Sequence, residues 1–282
     1  MRLETNRLKF GSRFLRRLRG LRLRTVHGSI LGCVLGCVLS SVLYLAGQSG
    51  LESNKGVEAM TTPAQCVSQP SEVVASYVAR EIRLGAANPE PEWQSANPIV
   101  FCSDWQGKNP DEERQTQVRA LWSPRTLYLR FECRYRTLYV FESSDPAGRR
   151  DHLWDRDVVE AFLQPDPSRE RYYREFEASP NGMWIDLDIF PGGLADLKSG
   201  MQRSVTLDEK AHRWAVELAI PMEALTRNFN PNAIWRANFY RVEGRNEPRA
   251  YLAWQPTGTP EPNFHVPGAF GRLRFAVPAE GR

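Results

Sequence analysis

The stretch TLYLRFECRYR, residues 126–136, decides the fold class. Leu127, Leu129, Phe131 and Cys133 alternate strictly with Tyr128, Arg130, Glu132 and Arg134. A period of two places the first set on one face of a strand and the second on the other. The same alternation returns in Trp214–Ile220, where Trp214, Val216, Leu218 and Ile220 share a face. It returns again in Met183–Phe190 through Ile185, Leu187 and Ile189. Further strands are expected at Tyr77–Leu84, Gln117–Trp122, Val158–Gln164, Tyr172–Ala178, Ser204–Leu207, Ile234–Val242, Ala250–Gln255 and Leu273–Val277. Ser123-Pro124, Gln164-Pro165-Asp166-Pro167 and Ser179-Pro180-Asn181-Gly182 are turn sequences between them. One short helix is expected over Met222–Arg227, with Pro221 at its favoured first-turn position. No helical stretch is long enough for the crossovers of a parallel sheet. The expectation is therefore an all-β, antiparallel β-sandwich of two packed sheets and about ten strands, spanning residues 73–278.

Outward from this region the composition changes. The 282 residues carry a formal net charge of +4. Residues 1–27 hold nine basic side chains and one acid, which leaves 28 basic and 32 acidic residues for the rest. The folded part is mildly acidic, so no nucleic-acid partner is expected. The stretch from Thr25 to Leu51 has no Asp, Glu, Lys or Arg, and its apolar centre runs from Ile30 to Ala46. Residues 1–47 thus read as a basic region followed by a hydrophobic helix, either a cleaved signal or a membrane anchor. The arginines would stay on the cytoplasmic side, placing the remainder outside the membrane, anchored to it or free. Residues 48–72 read as a flexible tether and 279–282 as a tail. In an exported chain Cys66, Cys102 and Cys133 permit one disulfide and leave one thiol, with the pairing open.

The segment WDRDVVEAFL, residues 154–163, resembles the W-x-x-D-x-V-E-x-F strand of family 9 carbohydrate-binding modules. Tyr172–Glu177 follows, and then Trp214–Pro221, which is similar to the family's W-x-V-E-x-x-I-P element. Asn238–Arg241, Trp254–Thr257 and the closing Asn263–Leu273 complete a likeness that covers about residues 76–277. The resemblance implies a non-catalytic β-sandwich that binds sugars between aromatic rings, with calcium in some members. It implies Trp154 as a stacking platform and Phe264, with His265 beside it, as the second aromatic position. Asp157 or Glu160 matches the family's hydrogen-bonding acid. Glu177 stands where the family uses a basic residue, and Asn263 is a further hydroxyl partner. Such chemistry suits a pyranose, whose apolar face stacks on a ring while its hydroxyls need polar partners. The expected partner is an oligo- or polysaccharide, with a separate glycoside hydrolase as a possible companion.

The residues admit other readings. Asp186 and Asp188 share one strand face and offer oxygen ligands to calcium, but no EF-hand pattern surrounds them. Glu160, Glu175 and Glu177 are the carboxylates a glycosidase would need, without a deep-cleft motif to go with them. Met183, Met201, Met222 and His265 are the side chains a haem-binding electron-transfer sandwich would use, at no characteristic spacing. A structural or interaction sandwich without sugar binding is the main alternative.

Overall fold

A computed structural model describes residues 70–142 and 148–277. The expected hydrophobic helix, Cys66, and most of the tether lie outside the described residues. The described chain contains thirteen strands and one short α-helix. They are β1 (Glu72–Tyr77), β2 (Ile99–Phe101), β3 (Thr116–Trp122), β4 (Thr126–Arg134), β5 (Val158–Gln164), β6 (Tyr173–Ala178) and β7 (Trp184–Phe190). Then come β8 (Gly193–Asp196), β9 (Gln202–Asp208), β10 (Arg213–Pro221), α1 (Met222–Leu225), β11 (Trp235–Glu243), β12 (Ala250–Ala253) and β13 (Gly271–Phe275). Among the described residues no helix is long and apolar enough to cross a membrane.

The all-β expectation holds, with two corrections to its detail. The strands form one continuous sheet, ordered β8-β7-β6-β5-β11-β13-β1-β3-β4-β10-β9, with β12 beside β11 and β2 beside β3. It is also not wholly antiparallel. β1 runs parallel to β13 through Glu72–Ala75 and parallel to β3 through Ser76 and Tyr77. One strand thus serves both halves, and the sheet curls over it to face itself. The alternation read in the sequence fills the space between the halves. Leu127, Leu129, Phe131, Trp214, Val216, Leu218 and Ile220 from one half meet Val159, Ala161, Leu163, Ala237, Phe239 and Leu273 from the other. Phe131 and Phe239 meet edge to face across the layer, at 5.7 Å between ring centroids.

The strand expected at Tyr77–Leu84 is displaced. β1 ends at Tyr77, and the chain beyond it lies across the outer face of β3 and β4, where Val78 and Ile82 pack with Trp93, Leu121 and Tyr128. Alternating apolar residues there mark a segment lying on a sheet rather than one paired within it. Its presence turns the nominally solvent-facing side of β4 inward. Arg130 is buried against Glu217 at 2.5 Å, and Glu217 also accepts the Gly85 N–H at 2.7 Å. The helix ends at Leu225, shorter than its expected reach to Arg227.

The open end of the core is closed by charges. Arg241 of β11 is fully buried, pairs with Glu243 at 2.7 Å and donates to the Arg134 carbonyl of β4 at 2.6 Å. Glu243 also accepts from Arg114 and from the Arg136 N–H, each at 3.0 Å. Nearby, Cys133 is buried as a free thiol, while Cys102 is disulfide-bonded. Removing one partner of a buried ion pair leaves the other uncompensated, at a cost of about 3–5 kcal/mol. Arg241→Met is therefore expected to lower the unfolding free energy by about that amount in urea denaturation. A loss below about 1 kcal/mol, the range of a surface pair, would contradict this account of the closure.

Candidate functional site

The second face of β5, β6, β7 and β11, turned away from the core, carries the site. Register places Glu160 opposite Glu177 and Phe162 opposite Glu175. It also sets Tyr240 of β11 beside Glu160, and Ile185 and Leu187 of β7 beside Glu177 and Glu175. Since side chains alternate, Val158, Glu160 and Phe162 project to the same side as Tyr173, Glu175 and Glu177. This face is not open to solvent. Leu153, Phe264 and Phe270 close over it in a second apolar cluster, with Trp105, Phe141, Trp154 and Tyr251 packed at its margin.

Aromatic rings are arranged in two stacks. Phe264 lies flat on Tyr240, with centroids 4.1 Å apart and planes 10° from parallel, and the Tyr240 hydroxyl donates to the Phe264 carbonyl at 3.0 Å. Phe162 stacks on Tyr173 at 5.3 Å, and the Tyr173 hydroxyl shares a 2.6 Å hydrogen bond with Nδ1 of His265. Trp154 sits in a single turn, Leu153–Asp155, that follows His152 at φ 57°. Its ring is half-buried, 4.8 Å from the His152 imidazole, and its carbonyl accepts from Arg249 Nη1 at 3.0 Å.

Within these rings lie three buried carboxyl groups. Glu177 is fully buried and touches the Glu175 carboxyl at hydrogen-bond distance, but neither of its oxygens, nor Oε2 of Glu175, receives a donor from outside the carboxyl cluster. Glu175 Oε2 stands 4.0 Å from His265 Nδ1. Burial holds the Glu160, Glu175 and Glu177 carboxyls above the ordinary carboxylate range. Repulsion adds to it: Glu175 acts on Glu160, and Glu160 and Glu175 both act on Glu177. Burial and the neighbouring carboxylates raise the Tyr173 and Tyr240 hydroxyls as well.

The structure thus brings together Trp154, Glu160, Glu177, Phe264 and His265 from the sequence reading. Asp157 is set apart, because both of its oxygens accept backbone N–H groups, from Tyr139 and Gly244, each at 2.7 Å. Burial outweighs those two bonds and lifts its carboxyl to about 6. The Asn263 oxygen is turned to its own loop and accepts from the His265 N–H at 3.0 Å. Glu175, Tyr173, Tyr240 and Arg249 were not assigned to the binding site from the sequence. The spacing Glu175-x-Glu177, on a strand paired to Glu160, was the available signal. Asp186 accepts from Ser199, and Asp188 pairs with Arg174 at 2.6 Å. Among the described residues no group of three or more His, Cys, Asp or Glu side chains is placed to hold a metal ion. Met183, Met201 and Met222 are buried in the apolar clusters and in no shared site.

Residues 197–275 match the family model for carbohydrate-binding family 9. Over that stretch the chain is similar to family 9. The matched stretch takes in Asn263, Phe264 and His265, whereas Trp154, Glu160 and Glu177 precede it. Among solved structures, a family 9 module from Caldicellulosiruptor kristjanssonii in complex with cellotriose superimposes with a TM-score of 0.52 at 15% identity, covering 74% of this chain and 100% of that one. The same organism's module in complex with glucose gives a TM-score of 0.53 at 15% identity, over 75% of this chain and 98% of the other. An "Extracellular protein" of Arthroderma benhamiae is 25% identical over 185 residues, 59% of this chain and 82% of its own length. These likenesses are those of a sandwich fold, and the carboxyl cluster is a property of this chain's own residues.

The carboxyl cluster has a direct consequence for stability. A carboxyl raised in the folded state binds its proton more tightly there than in the unfolded chain. Its contribution is fully present at pH values below the ordinary Glu range and is lost as pH rises through the raised value. Glu177→Gln removes one such group without changing shape. The variant is expected to melt higher than wild type at neutral pH, with the difference shrinking toward acid. Melting curves that stay parallel across the pH range would refute the shared titration.

Proposed function

We infer that this domain is a non-catalytic, exported glycan-binding module whose site is the carboxyl-lined aromatic face of β5, β6 and β11. The observation that carries this reading is Glu177, a fully buried carboxyl that meets the Glu175 carboxyl but receives no donor from outside the cluster, set among ring faces. Buried polar groups are normally satisfied, and each one left unpaired costs about 1–3 kcal/mol. Such groups persist where a ligand completes them. A sugar supplies both needs, with hydroxyls for the carboxyl groups and an apolar ring face for an indole. The sugar complexes of the two fold neighbours and the extracellular relative support the reading.

In this arrangement Trp154 is the platform that a ring can reach, since Phe264 is already covered by Tyr240. Glu160 and Glu177 receive hydroxyls once the sugar displaces the cover of Leu153, Phe264 and Phe270, and His265 stands at the rim beside Tyr173. Asn263 and Asp157 act indirectly by fixing the loops that carry His265 and Trp154. The amino-terminal 47 residues would deliver the module across a membrane, as a signal or as an anchor, and present it to polysaccharide or to a separate hydrolase. Calcium remains an expectation from the resemblance, with Asp186 and Asp188 its sequence candidates.

The test is a glycan array followed by calorimetric titration of the full chain with cellotriose and glucose. Binding is expected, with Trp154→Ala weakening it about tenfold or more through loss of stacking and buried area. An array on which no saccharide binds would favour the alternative, a sandwich kept for structural or interaction purposes.

A further inference from the structure

The charge balance around Glu177 goes further than a demand for hydroxyl groups. The titratable and charged groups facing it can be taken element by element. β5 contributes Glu160, and β6 contributes Tyr173, Glu175 and Glu177. β11 contributes Tyr240, and β7 only the apolar Ile185, Leu187 and Ile189. From the covering loops come Asp155, whose charge reaches Glu177, Arg249, whose charge reaches Glu160, and His265. Four acids therefore face one guanidinium and one imidazole.

That guanidinium acts on Glu160 through its charge but forms no ion pair with the three glutamates. Arg249 donates from Nε to the Gly244 carbonyl at 2.8 Å and from Nη1 to the Trp154 carbonyl at 3.0 Å. Its Nη2 lies 4.0 Å from Asp157 and has no hydrogen-bond partner among the described residues. Among the described residues no Lys or Arg is within ion-pair distance of Glu160, Glu175 or Glu177. Nor do the three converge tightly enough for a metal ion. A group with several diverging donors and a single positive charge fits what remains, and an ammonium has three N–H donors and no acceptor.

We propose that the site selects a glycan bearing a free amino group, with its ammonium seated among Glu160, Glu175 and Glu177 and its ring against Trp154. This rests on the reading of the face as a glycan site. Three geometric facts support it: the oxygens of Glu177 and Glu175 that receive no donor from outside the cluster, the excess of acids over nearby cations, and the ring faces at the margin. Charge-assisted hydrogen bonds are roughly twice as strong as neutral ones, so an amine gains over a hydroxyl at the same position. N-acetylation removes both the charge and two of the donors, and the acetylated sugar loses that gain.

Calorimetric titration of the full chain with a glucosamine trimer, its N-acetylated counterpart, cellotriose and trilysine separates the outcomes. The glucosamine trimer is expected to bind about tenfold tighter than cellotriose or the acetylated trimer, a difference of about 1.4 kcal/mol. That preference should shrink as the pH is lowered, because the carboxyl groups take up protons. Glu177→Gln, which preserves shape, should bring the glucosamine-to-cellotriose affinity ratio toward one. Cellotriose binding as tightly as the glucosamine trimer would overturn the amine selection and leave the glycan site standing. Trilysine binding as tightly as the glucosamine trimer would overturn the glycan part of the proposal in favour of a basic peptide. Failure of every saccharide would overturn the glycan site itself, and the amine selection with it.

Discussion

The double pairing of β1 is the constraint on which the architecture rests. Six residues, Glu72–Tyr77, run parallel to β13 with their first part and to β3 with their last. Among the described residues no other strand joins the two halves of the sheet. Since β1 must satisfy backbone groups on both neighbours, the sheet curls over it, and the curl brings Phe131 and Phe239 into contact. The curl also fixes which faces become the core and which are left to the loops. On one outer face the segment after β1 lies down and buries Arg130 with Glu217. On the other, the turn around Trp154 and the loop before β13 cover the three carboxyl groups.

Much of this was legible in the sequence because burial on one face writes a period of two into a strand. The patterns of β4, β7 and β10 could be read directly. Val78 and Ile82 misled because a chain segment lying across a sheet buries alternate residues as a paired strand does. β8 escaped notice because all four of its residues are exposed and so have no apolar face to record. β2 has only three residues, too few for a period. The joining of the halves through β1 is a matter of hydrogen-bond partners, which a hydrophobic pattern does not encode.

The site was legible in part, for a related reason. Trp154, Glu160 and Glu177 stood out by type and by resemblance, and the structure gathers them. Their environment did not stand out, since it depends on cross-strand register. Glu160 faces Glu177 only because β5 and β6 pair as they do, and Tyr240 joins them only because β11 lies on the other side. Phe264 reads as an available ring in sequence, yet Tyr240 already occupies its face. Asp157 reads as a site acid, yet both oxygens are spent in holding two loops. Local pattern identifies candidates, and partners in space decide which of them still have unspent hydrogen bonds.

The free thiol of Cys133 has a consequence for the disulfide at Cys102. It sits inside the core beside Arg241, and burial raises it to about 11. Thiolates, not thiols, attack disulfides, so at neutral pH the native domain offers almost no nucleophile to the bridge at Cys102. Exchange becomes possible only when the core opens. The covalent pattern set during folding is therefore guarded by packing, and misbridged chains would arise before the sheet closes or after it fails, not during the working life of the folded protein.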